Sequence, residues 1–146
     1  QRPEYAPCLK SFKVVTECPL IVMFLLQLYP SHMAQNIPIL LPLMKAAIEI
    51  KGPESVPERL QTANNDLKTA QVKTVSFLTF LLRASADYLR PHQQELATAI
   101  VELLKSCPDI VAVRKELLVA MRHVLTTDLR QGFFTHVDVL LQDGVL

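Results

Sequence analysis

Glycine, tryptophan and cysteine are scarce in this chain, which has three Gly, no Trp and three Cys among 146 residues. So few glycines disfavour a sheet full of tight turns, and neither a Gly-rich phosphate loop nor a GxSxG motif is present. The cysteines (Cys8, Cys18 and Cys107) cannot all pair within the chain, and none shows CxxC spacing. We therefore expect reduced thiols, as in the cytosol or nucleus.

A surplus of charge of one sign is also missing. The formal net charge is +1: residues 1–60 carry six basic and five acidic side chains, and residues 61–146 carry nine of each. A nucleic-acid module usually presents a basic face or stripe that neutralises phosphates. No such stripe emerges, so we expect no direct nucleic-acid partner.

Apolar residues and prolines are what the chain has in quantity. Half of the residues are apolar, and abundant Leu, Val, Ile and Ala favour helices. The ten prolines lie mostly at segment edges. This position is expected, because a helix tolerates proline in its first turn but not in its interior. The chain is long enough for one compact domain with its own core, and we predict an all-α fold.

The chain contains an internal repeat. Cys18-Pro19 and Cys107-Pro108 both begin apolar segments and lie 89 residues apart, with room for another helix pair between them. Helix starts near positions 19, 65 and 109 give a period of about 45 residues, which is typical of HEAT and armadillo proteins. We therefore predict an α-solenoid of about three HEAT-type antiparallel helix pairs, with six helices in all.

The first predicted helix runs from Pro19 to Pro30 and is apolar nearly all round. Such a helix is expected to be buried on several sides. A membrane span is the competing interpretation, but it needs about 20 consecutive apolar residues. Gln27 interrupts this run and Pro30 ends it, so we expect no membrane association.

The next predicted segments are a second helix over Asn36–Lys51, with a kink or late start at Pro42, and an exposed loop over residues 52–64. A third helix, capped by Asp66 or Asn65, is expected to extend to about Leu89. Its predicted buried stripe is Leu67, Ala70, Thr74, Phe77, Leu78, Leu81 and Ser85.

Three further helices are predicted after it. The fourth begins at Pro91, and the fifth begins at Pro108 with Asp109 in its first turn, where the helix dipole favours a negative charge. The sixth is short and ends at Gly144. Their predicted buried residues are Leu96, Ile100, Leu103 and Cys107, then Ile110, Val113, Leu117, Met121 and Val124, and finally Phe133, Val137 and Leu140.

Reaction chemistry is hard to find in the sequence. No pair of residues has the HxxxH or HExxH spacing of a zinc site, and His136 and Asp138 face different directions on a helix. His123 is expected at the edge of the core. Cys18 and Cys107 precede prolines at predicted helix starts, where a thiol can become reactive, although a small apolar plug is the simpler role. We predict no catalytic, cofactor or metal residues.

The last repeat contains a local cluster of basic residues, namely Arg114, Lys115, Arg122 and Arg130. Nearby acidic residues offset their charge, so a solvated helix surface is the favoured interpretation. Asp109 with Val113-Arg114 also resembles the pattern of a HEAT inter-repeat ladder. In such a ladder a carboxylate at one helix start meets a basic group of a neighbouring repeat and sets the register.

The chain begins at Gln1 and ends at Val145-Leu146 without a polar tail. A free solenoid needs polar terminal repeats for solubility. We therefore expect residues 1–146 to be one HEAT-repeat segment of a much larger chain.

Three stretches go beyond a generic helical repeat: SFKVVTECPLIVMFLLQLYP (11–30), LKTAQVKTVSFLTFLLR (67–83) and VRKELLVAMRHVLTTDLRQGFF (113–134). Together they resemble the helical-repeat region of the transformation/transcription domain-associated protein family. The RKELL…RH.LTT.LR run is the most specific part, and the loop at 52–64 departs most.

That resemblance implies a scaffold without enzymatic activity. The family's members are giant relatives of the phosphatidylinositol-3-kinase-like kinases with a kinase-like domain that lacks catalytic residues. The resemblance implies a nuclear protein in histone acetyltransferase complexes such as SAGA, with transcription activators and complex subunits as partners. It implies no cofactor and no small-molecule substrate.

Two other functions are compatible with the same architecture. One is a HEAT-repeat nuclear transport adaptor of the karyopherin kind, and the other is the helical arm of an active phosphatidylinositol-3-kinase-like kinase. The full-length polypeptide would distinguish them. A kinase-like domain without its metal-binding Asp favours the scaffold, an intact kinase motif favours the kinase arm, and about twenty repeats with nothing after them favour transport.

Overall fold

The computed structural model describes residues 13–52 and 55–145, and within these residues the chain is helical with no strand. Cys8 and the start of the first resemblance stretch lie outside the described residues. The α-helices are α1 (Lys13–Leu28), α2 (Pro30–Ala34), α3 (Ile37–Glu49), α4 (Gln61–Ala84), α5 (Ala86–Leu89), α6 (Gln93–Ser106), α7 (Val111–Leu125) and α8 (Val137–Leu140), and 3₁₀ helices span Glu58–Leu60, Arg90–His92 and Asp128–His136.

The helices form two layers. In the first layer α4 lies between α1 and α7, and in the second layer α6 lies between α3 and the 3₁₀ helix Asp128–His136. Each helix therefore packs on the corresponding helix of the next repeat, as expected for stacked helix pairs. The predicted all-α solenoid of three HEAT-type repeats is confirmed.

The core lies between these layers. Helix α4 contributes Leu78 and Leu81, α6 contributes Leu96 and Ile100, and α7 contributes Leu117, all of them without exposed surface. Burying each of these side chains contributes roughly 2–3 kcal/mol. The predicted stripes of the third to fifth helices are buried or half-buried at every position, which confirms the helical register there.

Helix α1 does not begin at Pro19 as predicted. It already runs from Lys13, and Pro19 lies inside it, as Pro42 does in α3. A proline in a helix interior removes one backbone hydrogen bond and costs about 3 kcal/mol. Helix α1 nevertheless continues through Pro19 and packs along α4.

Two other predicted helix starts are wrong. Helix α4 begins at Gln61, so Asn65 and Asp66 lie within it rather than at its cap, and the connection after α3 is shorter than residues 52–64. Helix α7 begins at Val111, after extended backbone at Ile110. Asp109 consequently precedes the first turn instead of occupying it.

The expectation that α1 is buried on several sides is also wrong within this chain. Of the apolar side chains of α1 whose burial the structure describes, only Leu26 is buried, and Leu20, Ile21, Phe24 and Leu28 are exposed. They are exposed because α1 has a first-layer neighbour on one side, α4. Among the described helices none is both long and apolar enough to span a membrane.

Candidate interaction surface

A groove runs between α4 and α7 on the surface of the first layer, with a volume of about 520 Å³. Its apolar lining comes from small side chains and one exposed Val119, and its polar lining comes from both helices. We call it the α4–α7 groove. The lining residues are Ser76, Thr79, Ala112, Lys115, Glu116, Val119, Ala120 and His123.

Cations surround this groove. The Lys73 Nζ lies 3.4 Å from Glu116 Oε1, and the Arg83 Nη2 lies 3.4 Å from His123 Nδ1. Lys115 is exposed, and the described residues include no carboxylate paired with it. Because Glu116 is already paired with Lys73, the rim carries a net positive charge that a partner can use.

The inter-repeat ladder differs from the one that the sequence predicted. Arg114 donates from Nη2 to the backbone oxygen of Val145 at 2.6 Å and so ties α7 to the chain after α8. Among the described residues no ion pair joins Asp109 to a base. Ion pairs between repeats join Lys73 to Glu116 in the first layer, and Lys45 to Glu95 and Arg90 to Asp128 in the second. The Lys45 hydrogen bond lowers the pKa of the Glu95 carboxyl.

Gln71 is a buried polar residue that the sequence interpretation did not single out. Its Nε2 lies within hydrogen-bond distance of the backbone oxygens of Ala47, Ile48 and Ile50, at 3.0, 2.9 and 2.8 Å. These oxygens belong to the end of α3, where carbonyls lack helical partners. The Gln71 amide therefore caps α3 from the neighbouring repeat.

We predict that Gln71→Leu lowers the free energy of unfolding by about 1–3 kcal/mol, because the last carbonyls of α3, which are buried or part-buried, lose their side-chain donor. Urea unfolding followed by circular dichroism measures this. Gln61→Leu, at an exposed position of the same helix, is the matched control and should change the midpoint little. Equal effects of the two substitutions would rule out the cap.

Lys68 is another buried polar residue, and it lies outside the buried stripe that the sequence predicted for this helix. Only 5% of its surface is exposed, and its Nζ donates to Ser106 Oγ at 2.8 Å. Ser106 is the last residue of α6, where the helix dipole is negative and favours a cation. No carboxylate among the described residues pairs with Lys68, and burial lowers the pKa of its ammonium group.

We predict that Lys68→Met makes the chain more stable at pH 7, because the folded protein no longer buries a charge. A lysine with a lowered pKa in the folded state binds fewer protons there than in the unfolded chain, so wild-type stability rises with pH between the two pKa values. The advantage of the Lys68→Met variant should therefore shrink as the pH approaches 10.5. Urea titrations of both proteins between pH 7 and pH 10 test this, and a gap that stays constant would contradict it.

Cys107, Cys18, His123 and His136 are described residues at which the sequence raised the question of reactive or metal-binding chemistry. Cys107 follows the end of α6 and is buried, and burial raises the pKa of its thiol, as expected for an apolar plug. Cys18 is exposed inside α1, so neither thiol lies at a helix N-terminus. His123 is half-buried at the groove, and His136 Nε2 lies 3.0 Å from Thr98 Oγ1. Within the described residues no group of three His, Cys, Asp or Glu could hold a metal ion.

Comparison with known proteins assigns the chain to a family. The family described as "Tra1 HEAT repeat central region" matches residues 63–146. Over 145 residues, 99% of this chain, it is 32% identical to "Probable transcription-associated protein 1" of Dictyostelium discoideum. It is 34% identical over 93% of its length to "SAGA complex/NuA4 acetyltransferase complex subunit Tra1" of Schizosaccharomyces pombe, and equally to the human "Transformation/transcription domain-associated protein".

The chain spans 3–4% of the length of these relatives. No solved structure matches it. The family match covers the second and third repeats, including both helices of the α4–α7 groove, and the relatives extend the similarity across the first repeat. The chain therefore belongs to the Tra1 HEAT repeat central region family.

Proposed function

We propose that this chain is a non-catalytic segment of a scaffold subunit in a nuclear transcription coactivator complex of the SAGA or NuA4 kind. The family match over residues 63–146 carries this proposal, and the complexes are those that the names of the relatives give. The stacked repeats support it physically, because a solenoid offers extended surface for protein partners. Residues 1–146 are, on this proposal, a single HEAT-repeat body within a longer polypeptide.

We further propose that the α4–α7 groove binds an amphipathic helix with acidic flanks, from a transcription activator or a complex subunit. Its apolar lining can receive the apolar face of such a helix. Lys73, Arg83 and Lys115 around it favour carboxylates on the partner. Because both walls belong to this chain, repeats stacked at either end leave the groove open.

A charge reversal tests the groove directly. We expect Lys115→Glu to weaken binding of an acidic amphipathic helix peptide about tenfold, chiefly through slower association. Lys105→Glu is the matched control, since Lys105 is an equally charged, exposed lysine on α6 in the other layer. Fluorescence anisotropy at 50 and 300 mM salt measures both. An equal loss in the two variants, or binding that salt does not weaken, would remove the groove as the binding surface.

The non-catalytic part of the proposal has its own test. We expect neither ATP nor zinc to bind to residues 1–146, and the acetyltransferase activity of the complex to reside in other subunits. Isothermal calorimetry with ATP and elemental analysis of the purified protein measure these. Saturable ATP binding or stoichiometric zinc would contradict the scaffold assignment.

A further inference from the structure

A cavity of about 710 Å³ lies between the end of α3, the start of α4 and the second half of α6, and Lys68 is part of its lining. We call it the Lys68 cavity. We propose that it binds a peptide segment of a partner protein through an acidic side chain that pairs with Lys68. The cavity shares no lining residue with the α4–α7 groove, so it is a separate site.

Lys68 is a buried cation that has no anion beside it among the described residues. Only 5% of its surface is exposed, and its Nζ has one hydrogen-bond acceptor there, Ser106 Oγ at 2.8 Å. An ammonium group donates up to three hydrogen bonds, so a single neutral acceptor leaves part of this capacity unused. Buried charges are ordinarily paired, and burial lowers the pKa of this ammonium group. A partner carboxylate in the cavity supplies the missing charge.

Two carboxylates of the chain line the same cavity, but each already has its own lysine. Glu49 Oε1 lies 3.7 Å from Lys45 Nζ, and Glu102 Oε1 lies 3.0 Å from Lys105 Nζ. Both acids are exposed, and they repel a ligand that carries many negative charges, such as a nucleic-acid backbone. A peptide with one carboxylate among apolar residues largely avoids this repulsion.

Apolar side chains form much of the remaining lining. Ile48, Ala99 and Leu103 are buried, whereas Val56 is half-buried and Ile50 is 45% exposed. Apolar walls with a few well-placed polar groups are the usual composition of a binding site. The walls can therefore receive an apolar side chain that neighbours the acidic residue in the partner segment.

Hydrogen bonds within the chain hold the walls of the cavity in place. Gln71 Nε2 lies 2.9 Å from the backbone oxygen of Ile48 and 2.8 Å from that of Ile50, which joins the end of α3 to α4. The bond from Lys68 to Ser106 joins α4 to the end of α6. A site that is already formed binds its partner without the entropy cost of ordering the walls.

Peptide selection with the full-length protein tests the proposal. A phage-displayed library of random peptides is selected on the wild type, and peptides that also bind Val56→Trp, in which an indole fills the cavity, are discarded. Thr98→Trp, at an exposed position of the lining, replaces that variant if it does not fold. We expect the remaining peptides to share an acidic residue beside an apolar one.

Fluorescence anisotropy then measures the contact with Lys68. We expect Lys68→Met to weaken binding at least about tenfold, because the carboxylate loses its buried partner. Replacing the acidic residue of the peptide by its amide should have a similar effect, and the two changes together should cost little more than either alone. Lys73→Met is the matched control, since Lys73 is an exposed lysine of the same helix beside the α4–α7 groove.

The other outcomes overturn the proposal. These are a selection that leaves no peptide, peptides without a common acidic residue, unchanged affinity for Lys68→Met, and effects of the two changes that multiply. Equal losses for Lys68→Met and Lys73→Met would also reject the Lys68 cavity and would assign the peptides to the α4–α7 groove.

Discussion

Leu117→Asp is expected to unfold this chain or to lower its free energy of unfolding by about 5 kcal/mol. Leu117 has no exposed surface and lies in the core that α7 shares with the other helices. The substitution removes buried apolar surface, which alone costs about 2–5 kcal/mol, and places a carboxyl group where no partner is available. A single domain typically has only 5–15 kcal/mol in total.

Thermal unfolding followed by circular dichroism measures the effect. Val111→Asp is the matched control, because Val111 lies on the same helix and is 79% exposed. We expect that variant to melt close to the wild type. An unchanged helical signal and melting temperature for Leu117→Asp would show that the packing register of α7 is wrong.

Gly132→Ala is expected to lower the free energy of unfolding by about 3 kcal/mol, although it adds a single methyl group. That methyl carbon would lie 2.5 Å from the backbone oxygen of Gln93 and 3.0 Å from the Cβ of Ala97. Both neighbours belong to α6, against which the 3₁₀ helix Asp128–His136 packs closely. Because the nearest atom belongs to the backbone, the two elements must separate.

Urea unfolding of Gly132→Ala beside Gln131→Ala separates this contact from a general effect of alanine in the 3₁₀ helix. Gln131 is exposed one position away, and its substitution should shift the midpoint by a small fraction of the other change. If Gly132→Ala were as stable as the wild type, the second layer would not be packed as described.

The helical periodicity was sufficient to predict the layers, because it depends on residues that recur along a helix. The stripe from Leu67 to Leu81 is buried as predicted. Helix ends were predicted less well. Pro19 and Asp66 carry the chemistry of helix starts, yet both lie inside helices, since packing against neighbouring helices outweighs such local preferences.

The polar contacts between repeats were not predictable in the same way. Gln71 lies on the same stripe as Leu67 and Leu78, so the spacing indicated that it is buried. Its contact with the α3 carbonyls depends on how α3 and α4 pack, which the sequence did not show. Lys68 gave no such signal, because a lysine at the edge of a stripe is usually exposed. Gly132 has no room for a side chain because α6 approaches it closely, and this approach depends on tertiary packing that the local sequence does not show.

The exposure of α1 has a related cause. Its composition predicted burial on several sides, and the part of the chain that the structure describes covers one side.

The most direct test of the account is a high-resolution cryo-electron microscopy structure of the native assembly that contains this chain. We predict that α4 lies between α1 and α7 in one layer, with Leu117 enclosed and the α4–α7 groove at the surface. Density that showed a β-sheet in this segment, or α1, α4 and α7 separated from one another, would contradict it.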